Sequence, residues 1–217
     1  MSVFSLEIKK ESQLPYLALL IGMFAISTSA ILIRHSNSEP LVIGSYRQAF
    51  ATLIFLPFII KDRGEEIRSQ SYVTLFEMIL TGILLGAHFS FFITSVKETS
   101  VAASVLLATC HVVYVAILGR FLFGEILSRE AIIGTSIALA GILILFGGDL
   151  LDNPGNFRGN LFAFISGILA GLYYLSGRKL RKIISLPTYA FVVYLFSFLT
   201  MFAVVLIQNL SYSNLPI

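Results

Sequence analysis

Seven apolar stretches, near residues 15–33, 41–60, 73–95, 100–123, 130–147, 159–177 and 188–207, limit what this chain can become. A helix needs about 20 predominantly apolar residues to cross the hydrocarbon core of a bilayer, and the fifth stretch is the shortest. Backbone polar groups in lipid must be satisfied within the protein, so each stretch is expected to be a helix. Composition agrees: 57% of residues are hydrophobic and 12% charged, with a mean hydropathy of +0.88. That charged share is about half the usual one for a soluble domain. The expected fold is therefore an all-α polytopic membrane protein of about seven transmembrane helices, with the lipid bilayer as its first partner. Pro15, Pro40 and Pro187 fall at helix starts, where a missing N–H costs little, and Pro57 falls in the last turn of the second span.

Charge placement gives an orientation. One side would carry Lys9 and Lys10, then Lys61, Arg63 and Arg68, then Arg120 and Arg129, then Arg178, Lys179, Arg181 and Lys182. The other side would carry only Arg34, Lys97 and Arg158. The positive-inside bias places the N-terminus in the cytoplasm and, with seven spans, the tail SYSNLPI outside. The first span also resembles a signal peptide, with Ser27-Thr28-Ser29-Ala30 as a small-residue cleavage site. The apolar run resumes at Ile31-Leu32-Ile33, which favours a retained helix.

An internal repeat is expected as well. Ser38-Glu39-Pro40 and Ser185-Leu186-Pro187 each follow one span and open the next. Aligning the prolines equates span 1 with span 6 and span 2 with span 7. Five spans separate the two starts, so the second unit would enter the membrane inverted, as in many transporters. The expected organisation is a cytoplasmic segment 1–14, a five-helix repeat 15–148, an external loop 149–158 and an incomplete second repeat of two helices, 159–217. A second unit of the first one's length would need roughly 75–85 more residues.

The stretch Glu98 to Leu145, ETSVAASVLLATCHVVYVAILGRFLFGEILSREAIIGTSIALAGILIL, resembles the EamA-type transporters of the drug/metabolite transporter superfamily. The resemblance rests on Val101-Ala102-Ala103-Ser104, Val113-Tyr114-Val115-Ala116, Phe123-Gly124-Glu125, and a helix with Gly134 and Gly141 ending in Leu-Ile-Leu. EPLVIGSYRQAFA looks like the family's second helix, which usually carries an arginine where Arg47 stands, and GNLFAFISGILAGLYYLSGRKLRK resembles the opening of its second repeat. Such transporters often have a proline where Val112 stands, so no proline is available here to kink the fourth helix. The family's usual fold has ten helices in two five-helix repeats. The resemblance implies transport of a small metabolite or drug-like solute across the cytoplasmic membrane. The alternative is a truncated, non-transporting chain, or a subunit completed by a homo-oligomer or a missing-helix partner.

Polar residues inside the spans are the candidate site. Arg47 lies ~9–10 Å below the outer boundary at 1.5 Å rise per residue. It either snorkels to headgroups, pairs with helix carbonyls, or faces a watery cavity and holds a substrate carboxylate or phosphate. Gln48 is expected to extend the same polar face. His88 reaches a similar depth and could meet Arg47 in one cavity, or bond to a helix carbonyl or to neighbours such as Ser90. His111 lies near the midplane, where transporters of this type bind substrate. Tyr46, Tyr114, Tyr173 and Tyr174 offer ring faces and hydroxyls. Glu77, one turn into span 3, is expected to snorkel or pair with a loop cation. No Asp or Glu lies near the middle of any span, which argues against a carboxylate-centred ion pump. Gly82-Ile-Leu-Leu-Gly86 and Gly167-Ile-Leu-Ala-Gly171 allow close helix approach.

Other classes fit poorly. Span 7 has no Schiff-base lysine for a retinal protein, and Phe146-Gly147-Gly148-Asp149 misplaces the first glycine of an intramembrane aspartyl protease motif. His88 and His111 alone are too few for a metal site. The single cysteine, Cys110, excludes an internal disulfide. Nothing implies a cofactor, and no basic face with interleaved aromatics points to nucleic acid.

Overall fold

A computed structural model describes residues 14–124 and 128–210. Lys9, Lys10, Glu125 and the tail SYSNLPI lie outside the described residues. The described residues form helices α1 (Leu14–His35), α2 (Pro40–Phe58), a π-helical turn (Ile59–Arg63), α3 (Gly64–Arg68) and α4 (Tyr72–Glu98). There follow α5 (Val101–Thr109), α6 (His111–Phe123), α7 (Arg129–Asp152), a 3₁₀ turn (Pro154–Asn156), α8 (Phe157–Leu180) and α9 (Leu186–Ile207). Seven helical segments are long and apolar enough to cross a membrane, α5 and α6 together making one of them. The protein is thus all-α and polytopic among its described residues.

Local chemistry sets most boundaries. Ser71 and Ser100 cap α4 and α5, each hydroxyl accepting from a backbone N–H three residues on, Thr74 and Ala103, at 3.1 Å. Pro40 and Pro187 occupy first-turn positions of α2 and α9. Pro57 has no N–H to give and crowds the carbonyl four residues back, and the chain leaves α2 one residue later through the π-helical turn.

Two segments differ from expectation. Most of the expected loop 149–158 is helical: α7 runs to Asp152 and α8 starts at Phe157. Gly147 and Gly148 do not stop α7. Asn153, which precedes Pro154 and is therefore steered away from helical ψ, stops it at φ −138° and ψ 73°. Span 4 is also broken without a proline. The turn at Cys110 separates α5 from α6, and the Cys110 N–H reaches the carbonyls of Leu107 and Ala108.

The core lies where α4 packs on α8 and α9, and α2 packs on α9. Met78, Ile93, Leu180, Val193 and Met201 are fully buried there. Glycines permit these crossings. A Cβ at Gly82 would stand 2.8 Å from the Val193 carbonyl oxygen, and one at Gly86 2.9 Å from that of Ser197, so α4 touches the α9 backbone. By contrast α1 and α7 lie at the margin, with large apolar side chains such as Leu20, Phe24, Ile137 and Ile144 exposed, the expected face for lipid.

Each end of α4 is fastened. At its C-terminus Arg34 donates to the carbonyls of Val96, Lys97 and Thr99 at 2.8, 2.7 and 3.2 Å, which satisfies carbonyls that the helix end leaves open. There too Lys97 donates to the Ser36 carbonyl, Arg158 pairs with Glu98 at 3.4 Å, and Thr99 donates to Asn160 at 2.7 Å. At the other end Lys179 of α8 pairs with Glu77 at 2.6 Å, and the hydroxyls of Thr81 and Ser176 share a hydrogen bond at 2.5 Å. Glu77 thus pairs with a cation counted outside the expected span 159–177, and α8 extends far enough to carry it in its last turn.

Candidate functional site

Arg47, His88 and His111 line one cavity of about 450 Å³. The α1, α2, α4, α5, α6 and α8 helices all contribute to its wall. Arg47 comes from the middle of α2 and lies with its guanidinium carbon 4.5 Å from the centroid of the Phe89 ring. It has no hydrogen bond or ion pair with any described residue. A cation–π contact is worth about 0.5–2 kcal/mol. That is less than the several kcal/mol a charged side chain costs in hydrocarbon.

His88 spans the α4–α8 contact. Its Nδ1 lies 2.9 Å from both the carbonyl oxygen and the hydroxyl of Ser166. A protonated Nδ1 donates to the carbonyl, whereas a bare one accepts from the hydroxyl. In both tautomers Nε2 is the nitrogen left for the cavity. The ring also stacks with Phe92 at 6.1 Å. His111 opens α6 directly after the Cys110 turn. Its Nδ1–H donates to the Ala108 carbonyl at 3.1 Å, one of the carbonyls that the broken helix leaves short of partners. Its ring stacks on Tyr174 at 4.8 Å with 27° between planes.

Tyr174 lines the same cavity wall, whereas Gln48, Tyr46, Tyr114 and Tyr173 sit elsewhere. Gln48 is 2% exposed, packed between helices, and its side-chain oxygen has no partner among the described residues. Consecutive helical residues point about 100° apart, so Gln48 does not share the polar face of Arg47. Tyr114 meets Phe164 edge-on at 5.9 Å and lies off the cavity wall. Tyr46 stacks with Phe50 at 6.5 Å. Tyr173 lines a second cavity, of about 520 Å³, together with His111 and Tyr174.

Sequence reasoning did not single out Phe89, Ser27 or Ser29 as cavity residues. Ser27 and Ser29 line the same wall as Arg47. Their signal was present as a cluster of small polar residues inside an apolar span, and it looks equally like a cleavage site. Ser166 carried no signal, because its role depends on where α8 crosses α4.

A bundle of membrane-length helices around a cavity that holds an arginine and two histidines defines a polytopic membrane protein with an internal solute-sized space. The EamA-like transporter family model matches residues 13–147. The chain belongs to the EamA-like transporter family. It is similar to an uncharacterized transporter of Archaeoglobus fulgidus, 29% identical over 121 residues, or 55% of this chain and 43% of the relative. An uncharacterized transporter of Helicobacter pylori is 24% identical over 163 residues, 73% of this chain and 52% of the relative. A second one from Archaeoglobus fulgidus is 22% identical over 165 residues, 76% and 56% respectively. The chain spans about half the length of the curated relatives it matches. No solved structure matches it significantly.

Proposed function

We propose that this membrane transporter moves a small metabolite or drug-like solute across the cytoplasmic membrane, and that the Arg47 cavity receives the solute. One observation carries this: a guanidinium inside a membrane span, on a cavity wall, with no carboxylate against it. Such a cation needs water or an anion in the cavity to be stable at that depth. His88 and His111 supply ring nitrogens on the same wall, and Phe89 and Phe92 supply an apolar surface. The positive-inside bias supports a cytoplasmic N-terminus. Nothing in this arrangement resembles a nucleophile with its base, so transport rather than bond-making is the activity proposed.

The full protein, purified and placed in liposomes, is expected to take up at least one member of a panel of small carboxylates, phosphates and neutral metabolites with saturation. Arg47→Lys should keep part of the uptake of an anionic solute and Arg47→Ala should abolish it. Absence of saturable uptake across the panel would overturn the transporter reading. Undiminished uptake by Arg47→Ala would remove Arg47 from the site.

A further inference from the structure

Arg47 and His88 lie against the same ring. The guanidinium carbon of Arg47 is 4.5 Å from the Phe89 centroid, and the imidazole centroid of His88 is 4.9 Å from it. One anionic head, with hydrogen bonds of about 2.8 Å on either side, is long enough to reach both. Other donors on the cavity wall are spent. The Ser27 hydroxyl donates to the Met23 carbonyl and the Thr109 hydroxyl to that of Leu106, both at 2.9 Å. His111 donates to the Ala108 carbonyl at 3.1 Å. Arg47 donates to no described residue, so its N–H groups remain for a solute.

His88 adds a further donor. The carbonyl and the hydroxyl of Ser166 both stand 2.9 Å from Nδ1, so Nδ1 has a partner whether or not it carries a proton. An anion beside Nε2 favours the tautomer with Nε2–H, and the Ser166 hydroxyl then donates to the bare Nδ1. Ser166 thus holds the ring in place while the solute selects which nitrogen is protonated.

Charge and shape narrow the solute. No described Asp or Glu lines the cavity. The ammonium of a cation or zwitterion finds no counter-charge there and is repelled by Arg47. A dianion brings one negative charge more than a single arginine offsets. Phe89, Phe92 and Tyr174 share the wall with the two histidines. His88 and His111 stack on Phe92 and Tyr174 with 13° and 27° between planes. Flat rings suit a flat apolar body, and an inorganic anion would leave that surface in contact with water.

We propose that the solute is an aromatic monoanion, its head held by Arg47 and by the Nε2–H of His88. This rests on the Arg47 cavity being the solute site of the transporter reading above.

The test is binding to the full protein in a nonionic detergent, read by isothermal titration calorimetry, with uptake into liposomes measured beside it. Benzenesulfonate is a planar monoanion that stays charged at all working pH values. It should bind at least tenfold tighter than methanesulfonate, a benzenedisulfonate, phenylalanine or trimethylphenylammonium. A tie with methanesulfonate overturns the aromatic body, and a tie with any of the other three overturns the single negative charge. For His88, Gln carries an amide nitrogen near the place of Nε2, whereas Asn carries one near the place of Nδ1. His88→Gln should therefore bind benzenesulfonate within threefold of the parent and His88→Asn at least tenfold more weakly. Equal affinities, or the reverse order, overturn the His88 contact. If these variants do not fold, heteronuclear NMR of the parent's three labelled histidines should show the Nε2–H signal of one ring shifting when benzenesulfonate is added. Unchanged spectra overturn the contact as well. Binding of benzenesulfonate without uptake of any solute supports the site and overturns the transporter reading. Saturable uptake of other solutes without binding of benzenesulfonate overturns the solute class alone.

Discussion

Arg47 and Gln48 are neighbours in the chain, yet one lines a cavity and the other is sealed between helices. The difference is the ~100° step of the helix, and it assigns the two residues different work. Gln48 is a packing residue whose side-chain oxygen has no partner among the described residues, whereas Arg47 is a charge presented to a cavity. Gly167 shows the opposite economy, a residue that matters by having no side chain. A Cβ there would stand 2.8 Å from the Leu107 carbonyl oxygen and 3.1 Å from that of Ala108. Gly167→Ala is expected to destabilise the protein by about 1–3 kcal/mol, the usual cost of overpacking a tight contact. The unfolding midpoint in mixed micelles should fall accordingly, and an unshifted midpoint would mean that α8 does not press on the span 4 break. At this scale the sequence displayed Arg47, His88 and His111 clearly, because polar groups stand out in apolar runs. It hid Ser166 and could not rank Tyr174 above the other tyrosines, since their importance comes from residues more than sixty positions away.

Helices here are defined as much by distant residues as by local ones. Ser185 stands at the N-cap of α9, but its hydroxyl does not cap the helix. Instead Glu66, from α3, accepts from the Ser185 N–H at 2.8 Å and from the hydroxyls of Ser185 and Thr188 at 2.5 Å each. A carboxylate at a helix N-terminus also meets the positive end of the helix dipole. Glu66→Ala leaves these donors without their acceptor and should cost about 1–3 kcal/mol. Glu66→Gln, which keeps an acceptor oxygen, should lose less. Thermal denaturation of the detergent-solubilised protein would rank the pair, and equal losses would deny the carboxylate its role as a cap. The number and approximate position of the membrane-length helices were legible from hydropathy and proline placement alone. The break in span 4 was not. Its local proline is absent, and the turn at Cys110 accompanies a contact that only the folded protein makes, Gly167 against the Leu107 and Ala108 carbonyls.

At the scale of the molecule, the two helices equated by the proline alignment, α2 and α9, pack against each other. Arg34, Lys97 and Arg158 gather at one end of the bundle, with Glu66, Glu77 and Lys179 at the other. Reporters fused after Arg63 and after Lys97 should therefore fall on opposite membrane faces, the second outside, when tested by a paired cytoplasmic and external activity assay. The same face for both would overturn the seven-span arrangement. The two fastened ends of α4 carry a mechanical implication. Peeling α4 from α8 and α9 means breaking ion pairs and hydrogen bonds at both ends together, each worth on the order of 0.5–1.5 kcal/mol net, besides stripping the Gly82 and Gly86 contacts with the α9 backbone. Bending span 4 at its existing turn breaks none of these. Alternating exposure of the cavity would then resemble a door swinging on a fixed post, with α4 as the post and the α5–α6 joint as the leaf.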